Sequence, residues 1–171
     1  LELYVMRHGI ALPREESRGR PDGERPLTEE GVRRTGQAAE GLARLGVACD
    51  RIFTSPLVRA RQTAEIAAKA LKLEDRIEEW PELGAEGSNE ALLRRLRAAA
   101  AAKKLKAAML VGHEPQLGEL VSLFLSGRPD LSVDFKKAAV CCLEVATAVA
   151  WGRATLRWFL TPNHLRRLGQ R

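Results

Sequence analysis

Apolar and polar positions change period several times along the chain. Short, nearly continuous apolar runs of strand length occur at Glu2 to Met6, Arg51 to Thr54, Arg76 to Glu79, Ala107 to Val111, Ala139 to Val145 and Ala154 to Leu160. Between the first five of these, apolar residues recur at three- and four-residue spacing. That spacing predicts helices over Thr28 to Leu45, Pro56 to Leu71, Asn89 to Lys104 and Pro115 to Ser126. The last two strand-like runs have no helical stretch between them. Local chemistry supports two helix starts: Thr28 stands before Glu29 and Glu30, and Ser55 before Pro56, each a capping residue ahead of residues suited to a first turn. Strands alternating with helices imply an α/β fold. The polar stretch Arg14 to Arg25, rich in turn-forming residues, reads as a loop directly after the first strand.

Composition narrows this picture. A chain of 171 residues, 45% hydrophobic and 29% charged, suits one globular domain spanning residues 1–171. No apolar run is long enough for a membrane span, and no charged segment followed by an apolar one opens the chain, so a cytoplasmic location without membrane contact is expected. The three cysteines lack CxxC spacing, and the adjacent Cys141 and Cys142 would leave a strand on opposite faces, so reduced thiols are expected. The net charge of +6 suggests nucleic acid until its distribution is considered. From Trp151 onward stand Arg153, Arg157, Arg166, Arg167 and Arg171 with no acid, and the rest of the chain is nearly neutral. No nucleic-acid-binding motif accompanies this basic tail, so no nucleic-acid partner is expected.

Three predicted strands end in reactive side chains. The first ends in Arg7, His8 and Gly9. The second ends in Thr54, Ser55 and Pro56, with Arg59 one helical turn on, and the fourth in Gly112, His113 and Glu114. Parallel strands joined by right-handed crossovers share one carboxyl edge, which is where ligands bind in such sheets. Arg7, His8, Arg59 and His113 therefore converge, and Glu82, after the third strand, brings a carboxylate to the same edge. Phosphoryl transfer needs this combination: guanidinium forks match phosphate oxygens, and a neutral histidine attacks phosphorus. The charges of Arg7 and Arg59 are expected to hold His8 neutral near neutral pH. Arg61 points away from Arg59 on the helix and reads as a solvated or structural arginine; His164, in the basic tail, reads as surface.

The segments LYVMRHG, RPLTEEGVRRTGQA, TSPLVRARQTAE and MLVGHEP resemble, in order and spacing, the signature blocks of the histidine phosphatase superfamily. The compact length, with RHGIA and WFLTP, is similar to its SixA-type phosphohistidine phosphatase branch. This resemblance implies a three-layer α/β/α sandwich with a mostly parallel central sheet of about six strands, a histidine phosphorylated in mid-reaction, and no cofactor or metal. It implies His8 as nucleophile, Arg7 and Arg59 as phosphate clamps, and His113 as a donor to the transferring group. Glu82 in WPELG is the nearest match to the family's general acid, with Glu86 and Glu114 as alternatives. Zinc bound by the three histidines is disfavoured, because their spacing matches no metal pattern and the arginines would repel the ion.

The chain has little length for a lid, and a phosphorylated side chain on another protein needs an open approach. The expected partner is thus a phosphohistidine-containing signalling or phosphotransfer protein, with phosphate, sulfate or vanadate as occupants of the pocket. A small-molecule phosphomonoesterase of the same superfamily and a non-catalytic phosphoprotein-binding module are the alternatives. Cysteine-dependent, aspartyl and P-loop phosphoryl chemistries lack their motifs: there is no Cys-x5-Arg, no DxD and no GxxxxGK.

Overall fold

The computed structural model describes residues 1–17, 19–146 and 149–170. Among them, six strands form one sheet: β1 (Glu2–Arg7), β2 (Arg51–Thr54), β3 (Ile77–Glu79), β4 (Ala107–Gly112), β5 (Val140–Val145) and β6 (Ala154–Leu160), in the spatial order β3-β2-β4-β1-β5-β6. The pairings β3–β2, β2–β4 and β4–β1 are parallel, whereas β5 runs antiparallel to both β1 and β6. Five of the six strands thus point one way and β5 alone is reversed. The expected mostly parallel α/β sheet is what the chain forms.

Alternating side chains along the central strands separate two cores. Leu3, Val5, Phe53, Ala108, Leu110, Cys141 and Leu143 face α3 (Asn89–Lys103) and α4 (Gln116–Ser126). Tyr4, Met6, Ile52, Met109, Val111, Val140 and Cys142 face α1 (Glu29–Arg44), α2 (Val58–Leu71) and α5 (Pro162–Gly169). Cys141 and Cys142 fall on opposite faces, and all three cysteines are buried free thiols. β1 and β4, with helices over both faces, read as unbroken apolar runs for that reason.

Two boundaries differ from the sequence reading. Thr28 caps α1 as expected, its hydroxyl accepting from Gly31 N at 2.9 Å. Ser55, expected to cap a helix starting at Pro56, does not: α2 begins at Val58 after Leu57. Its hydroxyl is drawn instead toward His113. The second difference is α5, within the stretch read as a basic tail. Pro162 opens it at a first-turn position, and Leu165 is fully buried against α1. The close approach is possible because α1 carries Gly41, where a Cβ would stand 2.1 Å from the Leu165 carbonyl oxygen. Arg44 Nη1 adds a hydrogen bond to Leu168 O at 3.1 Å. No described helix is long and apolar enough to cross a membrane.

Candidate active site

The parallel strands β1, β2 and β4 end together. His8 N donates to Gly112 O at 3.1 Å and Ser55 N to Val111 O at 2.9 Å, so the residues after the three strands are knit into one floor. Because β5 is reversed, it is its beginning that reaches this edge. Ala138 N bonds to Arg7 O at 3.1 Å and to His8 O at 3.2 Å, which carries Lys137 to the site. Beneath the end of β1, Gly9 lies so near α1 that a Cβ would stand 2.3 Å from Thr35 Oγ1. Gly9 N donates to Thr63 Oγ1 of α2 at 3.0 Å, so the turn carrying His8 is pinned by two helices.

His8 is buried, its ring centroid 5.0 Å from that of His113. Its Nδ1 lies 2.7 Å from Gly9 O. A carbonyl only accepts, so Nδ1 carries the proton and Nε2 keeps a free lone pair. Lys137 Nζ approaches that Nε2 at 3.4 Å. Burial, then the charges of Lys137, His113 and Arg59, push the His8 pKa down to about 2, against a smaller opposing effect of the Gly9 carbonyl. The expectation that His8 is neutral therefore holds, but through desolvation and Lys137 first, with Arg59 last and Arg7 absent among the causes.

His113 is held through its other nitrogen. Its Nε2 lies 2.8 Å from Ser55 Oγ, and that oxygen already accepts from Leu57 N at 3.2 Å. Ser55 can donate its hydroxyl proton to Nε2, and in that tautomer the His113 proton sits on Nδ1. Burial, then the charges of Arg59 and Lys137, lower its pKa to about 4, so this imidazole is neutral as well.

The arginines complete a cationic wall. Arg7, half-buried, donates through Nη1 to Phe135 O. Arg59, buried, donates through Nη1 to Asp22 O at 2.7 Å and through Nη2 to Asp22 Oδ2 at 3.0 Å. Arg7 Nε, Arg59 Nε and His113 Nδ1 are all buried without a hydrogen-bond partner. Orphaned buried donors cost about 1–3 kcal/mol each. Asp22 belongs to the loop expected to rim the site. Burial opposes its charge, but bonds from Arg25 and Arg59, and the nearby Arg14, hold its carboxyl well below the usual carboxylate range.

The structure thus brings Arg7, His8, Arg59 and His113 together. The carboxylate of Glu82 is engaged elsewhere: Arg95 Nη1 donates to it at 2.8 Å, and that guanidinium lies 4.8 Å above the Trp80 ring. Glu86 is exposed, and burial raises the pKa of Glu114. Arg61 pairs with Glu79 at the surface, and exposed His164 lies beside Thr161 Oγ1 at 3.2 Å. Sequence reasoning missed Lys137 and took Ser55 for a cap. Only the antiparallel placement of the fifth strand would have signalled Lys137, since its beginning and not its end meets the edge.

A family model supports the class that this sheet edge defines. The histidine phosphatase superfamily (branch 1) matches residues 3–107, and the chain belongs to that superfamily. At this level it is a phosphatase, a hydrolase of phosphoryl compounds. Among particular proteins, it is 29% identical to phosphohistidine phosphatase SixA of Escherichia coli (strain K12), over 97% of both chains. It is 41% identical to an uncharacterized protein of Picosynechococcus sp. (strain ATCC 27264 / PCC 7002 / PR-6), covering 86% of this chain and 87% of that one. A structure of the protein histidine phosphatase SixA complexed with tungstate superposes with a TM-score of 0.84 at 27% identity, covering 96% of this chain and 99% of the other.

Proposed function

We propose that this chain hydrolyses phosphohistidine on a partner protein through a covalent intermediate on His8. The observation carrying the reading is the lone pair of His8 Nε2, faced only by the Lys137 ammonium among the described residues, together with Arg7 Nε, Arg59 Nε and His113 Nδ1, which are buried without partners. A phosphoryl group supplies what both lack: an electrophilic phosphorus for the lone pair, and oxygens for the donors. Charge spread over those oxygens in the transition state strengthens each contact, which is how fixed donors accelerate transfer. Water then displaces phosphate from His8. Phosphohistidine is favoured as substrate because imidazole leaves phosphorus more readily than an alkoxide does, and because Glu82, the acid expected for ester substrates, is committed to Arg95. The likeness to SixA along nearly the whole chain supports the same choice.

Rapid-quench trapping with labelled phosphohistidine protein tests the reading. Label should appear on His8, acid-labile and base-stable, and His8→Ala should lose labelling and turnover together. Arg59→Ala and His113→Ala should slow turnover on the order of 100-fold while leaving the nucleophile intact. Label on His113, or higher kcat/KM for sugar phosphates than for phosphohistidine proteins, would overturn the assignment of nucleophile or of substrate, respectively.

A further inference from the structure

Lys137 stands closest to the atom that forms the new bond. Its Nζ is 3.4 Å from His8 Nε2, on a flexible half-buried stem that also lines an outward cavity of about 250 Å³ with Ile10, Ala138, Pro162 and Arg166. Its backbone is held by strain. Ala138, the next residue, has φ 63°, a left-handed conformation unfavourable for a residue with a Cβ, and is fixed there by the bonds of its N–H to Arg7 O and His8 O. An incoming phosphoryl group must take the space in front of Nε2. It must displace the ammonium from Nε2, and in-line attack puts the leaving atom on the side of phosphorus away from Nε2.

We propose that Lys137 is the proton carrier of the reaction, donating to the leaving atom in the first displacement and accepting from water in the second. This rests on the reading of His8 as nucleophile. In the first step the Nε2 lone pair forms the bond to phosphorus, the bond from phosphorus to the leaving nitrogen or oxygen breaks, and the leaving atom takes a proton from the ammonium. In the second, water oxygen bonds to phosphorus, its proton passes to the neutral amine, and the P–Nε2 bond returns its electrons to His8. Orthophosphate leaves with the lysine restored.

Arginine, His113 and Glu82 are unsuited to both halves; Glu114, its pKa raised by burial and near Arg7, is the competing acid, and a leaving-group series unchanged in Glu114→Gln excludes it. Arginines do not release protons. His113 is neutral near neutrality, so giving up its one ring proton would leave an imidazolate, and the Glu82 carboxylate is tied to Arg95. The charges acting on Lys137 are those of Arg7, Arg59 and Arg25, the last two paired with Asp22; His8 and His113 lie beside it, and Arg34, Lys136 and Arg166 line the same cavity. Burial and then the charges of Arg7, Arg59 and Arg25 bring the lysine down to about 8, where it can both give and take a proton near neutrality.

The test is kcat/KM for aryl phosphates of graded leaving ability, from dinitrophenyl to phenyl, with Lys137→Met and Lys137→Arg beside the native chain. For Lys137→Met the loss should be at most about threefold with dinitrophenyl phosphate, growing to on the order of 100-fold with phenyl phosphate. Lys137→Arg, which keeps the charge but not the proton transfer, should behave as Lys137→Met does. The native fall in kcat/KM above about pH 8 should vanish in both. A uniform loss across the series, restored by arginine, would make Lys137 an electrostatic clamp and overturn the proposal. The His8→Ala variant separates the two failures: turnover of dinitrophenyl phosphate surviving in it removes the nucleophile and this inference with it. His8 labelling with a flat leaving-group series removes the proton carrier alone.

Discussion

Two imidazoles buried neutral beside cations make stability depend on pH at the scale of single residues. The folded pKa values of His8 and His113 lie at about 2 and about 4, below the ordinary value of 6.5, so the unfolded chain binds more protons between those limits. Their contribution is complete above pH 6.5 and declines as pH falls, at about 1.4 kcal/mol per pH unit for each histidine once its unfolded form is protonated. Between about pH 6 and 4 both histidines contribute; below about 4 only His8 does. Urea midpoints measured across this range should fall steeply for the native chain and with a shallower slope for His113→Asn. An unchanged slope would mean that His113 is not buried neutral. The same residues show what the sequence could reveal. His8 and His113 were legible because each ends an apolar run at a strand mouth. Ser55 was misread as a cap because capping and tautomer control use the same hydroxyl, and only the spatial neighbour decides between them.

At the scale of elements, the strand and helix periods up to Leu160 were readable because burial on one or two faces imposes them. α5 was not, since its eight residues carry three basic side chains and only two leucines, Leu165 and Leu168. Its helicity depends on docking against α1, a tertiary effect that local propensity does not encode. The contact is narrow and sensitive. Gly41→Ala would place a methyl group 2.1 Å from Leu165 O, forcing α1 and α5 apart, and should cost about 2 kcal/mol or more. Leu165→Ala should cost about 2–4 kcal/mol through the cavity it leaves. Chemical denaturation measures both. If the pair combined costs little more than either alone, the two substitutions weaken one shared contact.

For the molecule as a whole, the concentration of positive charge at one sheet edge should make anion binding a source of stability. Vanadate or tungstate at about 100 times its Kd should add about 2.7 kcal/mol, raising Tm by roughly 5–10 °C for a chain of this size, and Arg59→Ala should abolish most of that shift. Because Arg7, Arg59 and Lys137 crowd the histidines, a divalent cation is repelled there, and EDTA should leave turnover unchanged. Loss of activity restored by zinc or magnesium would contradict this. The reversed β5 has a further consequence, in the order of assembly. β1 lies between β4 and β5, both made long after it: Leu1 N reaches Val145 O across 144 residues, and Lys137 reaches His8 across 129. A growing polypeptide thus releases β1 and His8 well before β4 and β5, and holds that apolar strand unpaired until they have followed. Contacts of such span form late and slowly, since the chain entropy they consume is lost before any burial repays it. The edge that carries His8 is therefore complete only once the β5–β6 hairpin has paired with a strand synthesised well before it.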